Sequence, residues 1–175
     1  MTITTALRAT AVVFVAALLQ AVVVSSTFVF GGTADLLLVV VVALGLVRGS
    51  VPGAVFGFLG GLIVDLVTLD TLGVTSLALT LAGFWAGRYA ETTGRGRALA
   101  PVLSVGVITV LAAVFDLFLH YMLGEAVSAR QALLTSLLPE LFLNLLLAYP
   151  IFLLVRKLVG GRVVLQPSGE VELVV

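Results

Sequence analysis

The stretch ADLLLVVVVALGLVRGSVPGAVFGFLGGLIVDLVT, residues 34–68, holds two apolar runs parted by Arg48-Gly49-Ser50. Each run carries one carboxylate: Asp35 opens the first, and Asp65 sits within the second. The Arg-Gly-Ser break is turn-forming, so the runs read as two successive helices rather than one long one. Asp65, with Ile63 and Val64 before it and Leu66 and Val67 after it, is either a cost that function requires or a residue near a helix end.

The rest of the chain shares this character. Of its 175 residues 61% are hydrophobic and only 10% are charged, with a mean hydropathy of +1.29. Soluble domains run at about 45–50% apolar and about 25% charged, so the composition is that of an integral membrane protein. The net charge is zero, which leaves no electrostatic footprint for nucleic acid. The absence of cysteine removes disulfides, thiolate metal sites and cysteine nucleophiles. The first apolar run, after Arg8, continues to Phe30 without a good cleavage pattern and reads as an uncleaved membrane helix.

Six spans follow, at approximately 9–30, 34–47, 51–69, 73–89, 102–123 and 132–155, making a transmembrane domain over 1–160 with a cytoplasmic tail at 161–175. Pro52 and Pro101 fall in first turns, where a missing N–H costs little. With six spans, Arg8, Arg48, Arg88, Arg95, Arg97, Arg156, Lys157 and Arg162 share one side and only Arg130 lies on the other. By the positive-inside rule both termini are cytoplasmic. The expected fold class is therefore an all-α, six-helix compact bundle in the bacterial cytoplasmic membrane, multi-pass, N-in and C-in.

The second span is short: Ala34–Val47 reaches only about 21 Å by helix rise, against a hydrocarbon core of about 30 Å. Either the bilayer thins locally, or the helix extends past Arg48, or spans 2 and 3 form a hairpin that partly re-enters.

Ionisable groups in spans are expensive and are default functional candidates. By the same rise Asp65 lies about 6 Å, Asp116 about 10 Å and Glu140 about 12 Å inside the outer boundary, and Asp35 opens span 2 on that side. These four form an expected polar cluster in the outer half of the membrane. Each has a plainer reading. Asp35 is a natural N-cap, Asp65 could lean outward to Asp70 or Thr68, and Glu140 could bond to Asn144 one turn on. His120, beside Tyr121, reads as interfacial, and as the single histidine it leaves no histidine-based metal site. Carboxylates so placed are expected to donate hydrogen bonds to neighbouring helices. A second pattern is carried by glycine. Gly53, Gly57 and Gly61 recur every fourth residue in span 3, as do Gly83 and Gly87 in span 4 and Ala17 and Ala21 in span 1. Such faces let helix backbones approach closely in lipid. There is no HExxH, GxSxG, P-loop or dinucleotide fingerprint, so no enzyme and no cofactor is indicated. A membrane aspartyl dyad is the one catalytic option the carboxylates leave.

The segment from Ala34 to Leu79 and NLLLAYPIFLLVRKL at 144–158 resemble MreD, the rod shape-determining membrane protein family. The carrying motifs are an aspartate opening span 2 (Asp35), G-L-x-x-D-L closing span 3 (Gly61, Leu62, Asp65, Leu66) and L-G before span 4 (Leu72, Gly73). Ala34 departs from the family's frequent proline, and the tail after Gly161 matches no pattern. The resemblance implies a non-enzymatic scaffold of the lateral cell-wall elongation machinery. Its implied partners are an MreC-like single-span protein and, indirectly, the MreB filament, RodA and a class-B penicillin-binding transpeptidase. It also implies a fold similar to the substrate-binding subunits of energy-coupling-factor vitamin transporters, and such a subunit is the alternative function.

Overall fold

A computed structural model describes residues 3–24, 33–69, 71–93, 100–122 and 137–160. It is helical throughout these residues. Helix α1 is Ile3–Leu19, continued by a π turn at Gln20–Val24. Then come α2 (Leu36–Arg48), α3 (Ser50–Thr68), α4 (Val74–Thr93), α5 (Ala100–Met122) and α6 (Leu138–Val159). Helix α1 begins well before Ala9, and α4 and α6 run past Tyr89 and Val155, because polar residues in their end turns continue the backbone ladder. The first part of the expected sixth span, 132–136, and the tail 161–175 lie outside the described residues, as do 25–30.

At the centre lies α2. Every residue from Leu37 to Leu46 is buried, and α2 packs on α1, α3, α4, α5 and α6. A helix apolar on all sides must be buried on all sides. The four consecutive valines Val39–Val42 are poor helix formers in isolation, so it is the surrounding packing that holds them helical. The segment expected as the short second span is this buried helix, about 20 Å long and packed on its neighbours along its length. The alternative that it extends past Arg48 does not hold, because Gly49 stops it.

Gly49 is the hinge of the α2–α3 pair. It adopts φ 102° and ψ 179°, a region that side-chain-bearing residues rarely enter. Its N–H donates to the Gly45 carbonyl (2.7 Å) and its own carbonyl accepts from Gly53 N–H (3.1 Å), so one residue ends α2 and starts α3. The two helices then run antiparallel. A Cβ on Gly53 would strike the Gly45 backbone, and a Cβ on Gly60 would meet the Leu37 side chain.

The α3–α4 seam is closer still, and it is the most extensive helix pairing among the described residues. Gly61 abuts the backbone of Ser76, Gly57 that of Leu79, Gly53 that of Gly83, while Gly87 abuts Gly49 and Ser50. The positions descend on one helix as they rise on the other, the signature of an antiparallel pair. Gly45 of α2 also meets Gly83 and Gly87, so three helices converge where no side chain fits. On α1, the buried residues Ala9, Val13, Ala16 and Ala17 form its inward stripe.

Among the described residues three helices are long and apolar enough to cross a membrane: Ile3–Val22, Ser50–Thr68 and Leu138–Val159. The apolar helix Leu36–Arg48 and the stretch Pro101–Phe115 are shorter. Large apolar side chains such as Phe58, Trp85, Leu111, Phe142 and Leu146 face outward, as a lipid-facing surface requires. Arg8, Arg48, Arg88 and Lys157 gather at one end. Arg48 donates to the Val159 carbonyl, Arg88 pairs with Glu91 beside Ser50, and Arg8 and Lys157 line one groove. Arg95, Arg97, Arg130 and Arg162 lie outside the described residues.

The seam gives a direct test. Gly57→Val places a branched side chain against the Leu79 carbonyl and should lower stability by about 1–3 kcal/mol through overpacking. Val55→Leu, on the half-exposed face of the same helix, should be neutral. Thermal unfolding of the detergent-purified variants checks both.

Candidate functional site

The polar side chains inside the bundle serve helix ends. At the start of α2 the free N–H groups would be orphans, and burial makes each one costly. Asp35 is the N-cap, its Oδ1 accepting from Leu38 N–H at 2.9 Å. Asp35 N–H donates to Asn144 Oδ1 of α6 at 2.7 Å. Leu36 N–H donates to Gln20 Oε1 at the π turn of α1, at 2.9 Å, and Gln20 Nε2 returns a bond to the Ala34 carbonyl at 3.3 Å. Asn144 Nδ2 in turn donates to Thr109 Oγ1 of α5 at 3.2 Å. Both Asn144 and Thr109 are fully buried. Four helices are thus tied together at the N-terminus of the central one.

A second pair of caps closes the α3–α4 seam at both ends. Asp65, 1% exposed on α3, reaches across to the start of α4. Its Oδ2 accepts from Gly73 N–H (2.8 Å), Ser76 N–H (3.4 Å) and Ser76 Oγ–H (3.2 Å). At the opposite end Glu91 of α4 reaches back to the start of α3. Its Oε1 accepts from Ser50 N–H (2.8 Å), and both carboxylate oxygens accept from Ser50 Oγ–H (3.1 Å). Each helix caps the N-terminus of the other, where a carboxylate also meets the positive end of the helix dipole. The exchange works because the glycine ladder brings the two axes close. Gly73 itself has φ 97°, so both halves of the L-G and D-L motifs have a physical reason: one residue takes the turn, the other satisfies its N–H.

Of the four carboxylates expected as an outer polar cluster, Asp35 and Asp65 cap helix starts. Asp35 and Asp65 belong to separate hydrogen-bond sets, Glu140 is half-buried in the first turn of α6, and the Asp116 and His120 side chains lie outside the described ones. Asp35 and Asp65 each accept from backbone N–H groups through one carboxyl oxygen. Asp65 does not lean to Thr68, whose hydroxyl donates instead to the Val64 carbonyl at 2.9 Å, and Asp70 lies outside the described residues. Asn144 is committed across the bundle to Asp35 and Thr109. Ser50, Ser76, Glu91 and Thr109 were not among the sequence candidates. Glu91, in the polar last turns of α4, looks like an ordinary surface charge, and only the fold shows that it faces Ser50. Gly45 did leave a signal: with Gly49, Gly53, Gly57 and Gly61 it continues one four-residue period straight through the turn. Among the described residues no three His, Asp or Glu side chains come together to hold a metal ion. Among the described residues Asp65 Oδ1 is buried without a hydrogen-bond partner, a desolvation cost that the bonds to its other oxygen have to offset.

An all-helical bundle with apolar helices of membrane-crossing length is the fold of an integral membrane protein. The chain belongs to the MreD family, described as rod shape-determining protein MreD, which it matches over residues 1–161. No curated protein and no solved structure matches the chain significantly.

Asp65→Asn keeps one carbonyl oxygen for Gly73 and Ser76 and should be mild. Asp65→Leu strands buried N–H groups and should cost about 1–3 kcal/mol. Asn144→Leu, which orphans the Asp35 N–H and Thr109 hydroxyl, should match the second rather than the first. Unfolding midpoints of the three variants under one detergent condition decide the ranking.

Proposed function

We propose that the chain is a non-enzymatic membrane scaffold of the lateral cell-wall elongation complex, binding an MreC-like single-span partner in the bilayer. Family membership across residues 1–161 carries this reading, and the use of the buried polar groups supports it. Asp35, Asp65, Glu91, Gln20 and Asn144 are spent on holding helix ends, the work of a frame. Through the partner the scaffold would meet the MreB filament, RodA and a class-B penicillin-binding transpeptidase.

In this reading all six helices cross the cytoplasmic membrane, with the domain running to about residue 160 and the fold akin to energy-coupling-factor substrate-binding subunits. Both termini are cytoplasmic. The gathering of Arg8, Arg48, Arg88 and Lys157 at one end supports that orientation, since basic residues favour the cytoplasmic side. The polar cap at Asp35 and the turn after Asp65 then lie toward the outside.

The chain has no cysteine, so introduced thiols report without background. Thr71→Cys should react with a membrane-impermeant maleimide in intact spheroplasts, and Thr92→Cys only after lysis. The reverse pattern would overturn the orientation. For the function itself, membranes expressing a tagged chain should yield an MreC-like protein on pull-down, and depletion should turn rods into spheres. A chain that retains a vitamin and never a single-span partner would speak for the transport-subunit alternative.

A further inference from the structure

Helices α1 and α6 do not close on each other. Between them runs an apolar groove of about 730 Å³, floored by Leu36 and Val40 of α2. Its walls are aliphatic, with Val15 and Leu154 each about half exposed to the outside. Its charged lining consists of Arg8 and Lys157, both exposed and both at the end where α1 begins and α6 finishes. No carboxylate lines it, so two positive charges stand at one mouth of an otherwise apolar slot.

At the far end Leu19 and Leu36 line the groove, and Gln20, which follows Leu19 in the π turn, is hydrogen-bonded to Leu36 N–H and the Ala34 carbonyl. From Arg8 to Leu19 the helix rises about 16 Å, close to half of a hydrocarbon core about 30 Å thick. The lining of the groove covers that one half, short of the full thickness that a membrane-crossing partner helix would occupy. An acyl chain enters from one leaflet and stops at the midplane. The shape is therefore that of a lipid chain, and the charge pair stands at the level of the headgroup phosphate. Basic residues between helices on the cytoplasmic side suit anionic headgroups, and pockets of some 300–1,000 Å³ are of ligand-holding size.

We propose that the α1–α6 groove binds an anionic phospholipid of the basic-side leaflet, one acyl chain lying over Leu36 and Val40 and its phosphate held by Arg8 and Lys157. This rests on the membrane setting of the proposed function but not on partner binding. Phosphorylated headgroups without a net negative charge would gain less from two cations, so the site discriminates by charge.

Native mass spectrometry of the full chain, released from mild detergent, tests it with phosphatidylglycerol and phosphatidylcholine of identical chains. Phosphatidylglycerol should be retained at least fivefold more, and Arg8→Gln with Lys157→Gln should erase that preference. Val15→Trp, which fills the groove without touching either charge, should reduce retention of both lipids. Because Arg8, Lys157 and Val15 are all exposed, lipid-free unfolding midpoints should stay within error of the parent, and phosphatidylglycerol should raise the parent midpoint only. Equal retention of the two lipids, or retention unaffected in both variants, overturns the proposal. So does a thiol at Val15→Cys that crosslinks to a single-span protein instead of becoming shielded by added phosphatidylglycerol. Co-purification of the MreC-like partner with the double variant would leave the scaffold reading intact even if lipid selectivity never appears.

Discussion

Everything in this bundle depends on the burial of α2. A thirteen-residue helix placed among five others is buried from Leu37 to Leu46. Its N-terminal amide groups then have to find partners inside the protein, since each buried orphan costs about 1–3 kcal/mol. The chain supplies them from distant positions: Asn144 lies 109 residues from Asp35, and Gln20 lies 16 residues before Leu36. Those hydrogen bonds fix where α1 and α6 stand relative to the core. The C-terminal end is treated differently, with the Arg48 guanidinium bonded to the Val159 carbonyl. That places a cation beside the carbonyl ends of two helices, where the dipole favours it.

The glycines and carboxylates of α3 and α4 belong to one device. A carboxylate can cap a helix on a neighbouring element only if the axes come within the reach of a short side chain. Gly53, Gly57, Gly61, Gly83 and Gly87 permit that approach, and Asp65 and Glu91 use it at opposite ends of the seam. Removing either half would undo the other. With larger residues along the seam, Asp65 would sit buried and out of range of Gly73, and with the carboxylates gone the close-packed helix ends would hold unsatisfied N–H groups. Burial makes this coupling strict at Asp65, which is 1% exposed and so has little water to satisfy what its partners leave open.

Local pattern showed a good deal of this. The helix order and the Gly49 break follow from composition and turn chemistry, and the four-residue glycine period marks a packing face. Asp35 before a leucine and valine run has the form of an N-cap. Pairing did not follow. A glycine face says that something comes close, but not that Gly53 meets Gly83 rather than another small residue. Asp65 looked like an isolated acid because its partners are mostly backbone groups, which carry no sequence signature, and a serine, which is common. Span ends were also imprecise, since Arg88 and Glu91 at the end of α4 continue a helix that hydropathy alone would stop.

The same division explains which surfaces remain for other molecules. The α2–α3–α4 unit is locked by a one-residue hinge, a glycine ladder and reciprocal caps, so its internal faces have no room to change partners. Helices α1 and α6 touch each other less and leave the groove over Leu36 and Val40 between them. Their attachment is strong where Gln20 and Asn144 hold the start of α2, and looser toward Arg8 and Lys157. A frame built this way is rigid at its core and open at the α1–α6 edge, toward the basic end. A molecule that docked at this edge within the membrane would meet an apolar surface, and specificity there would come from shape and from the few charges at its rim.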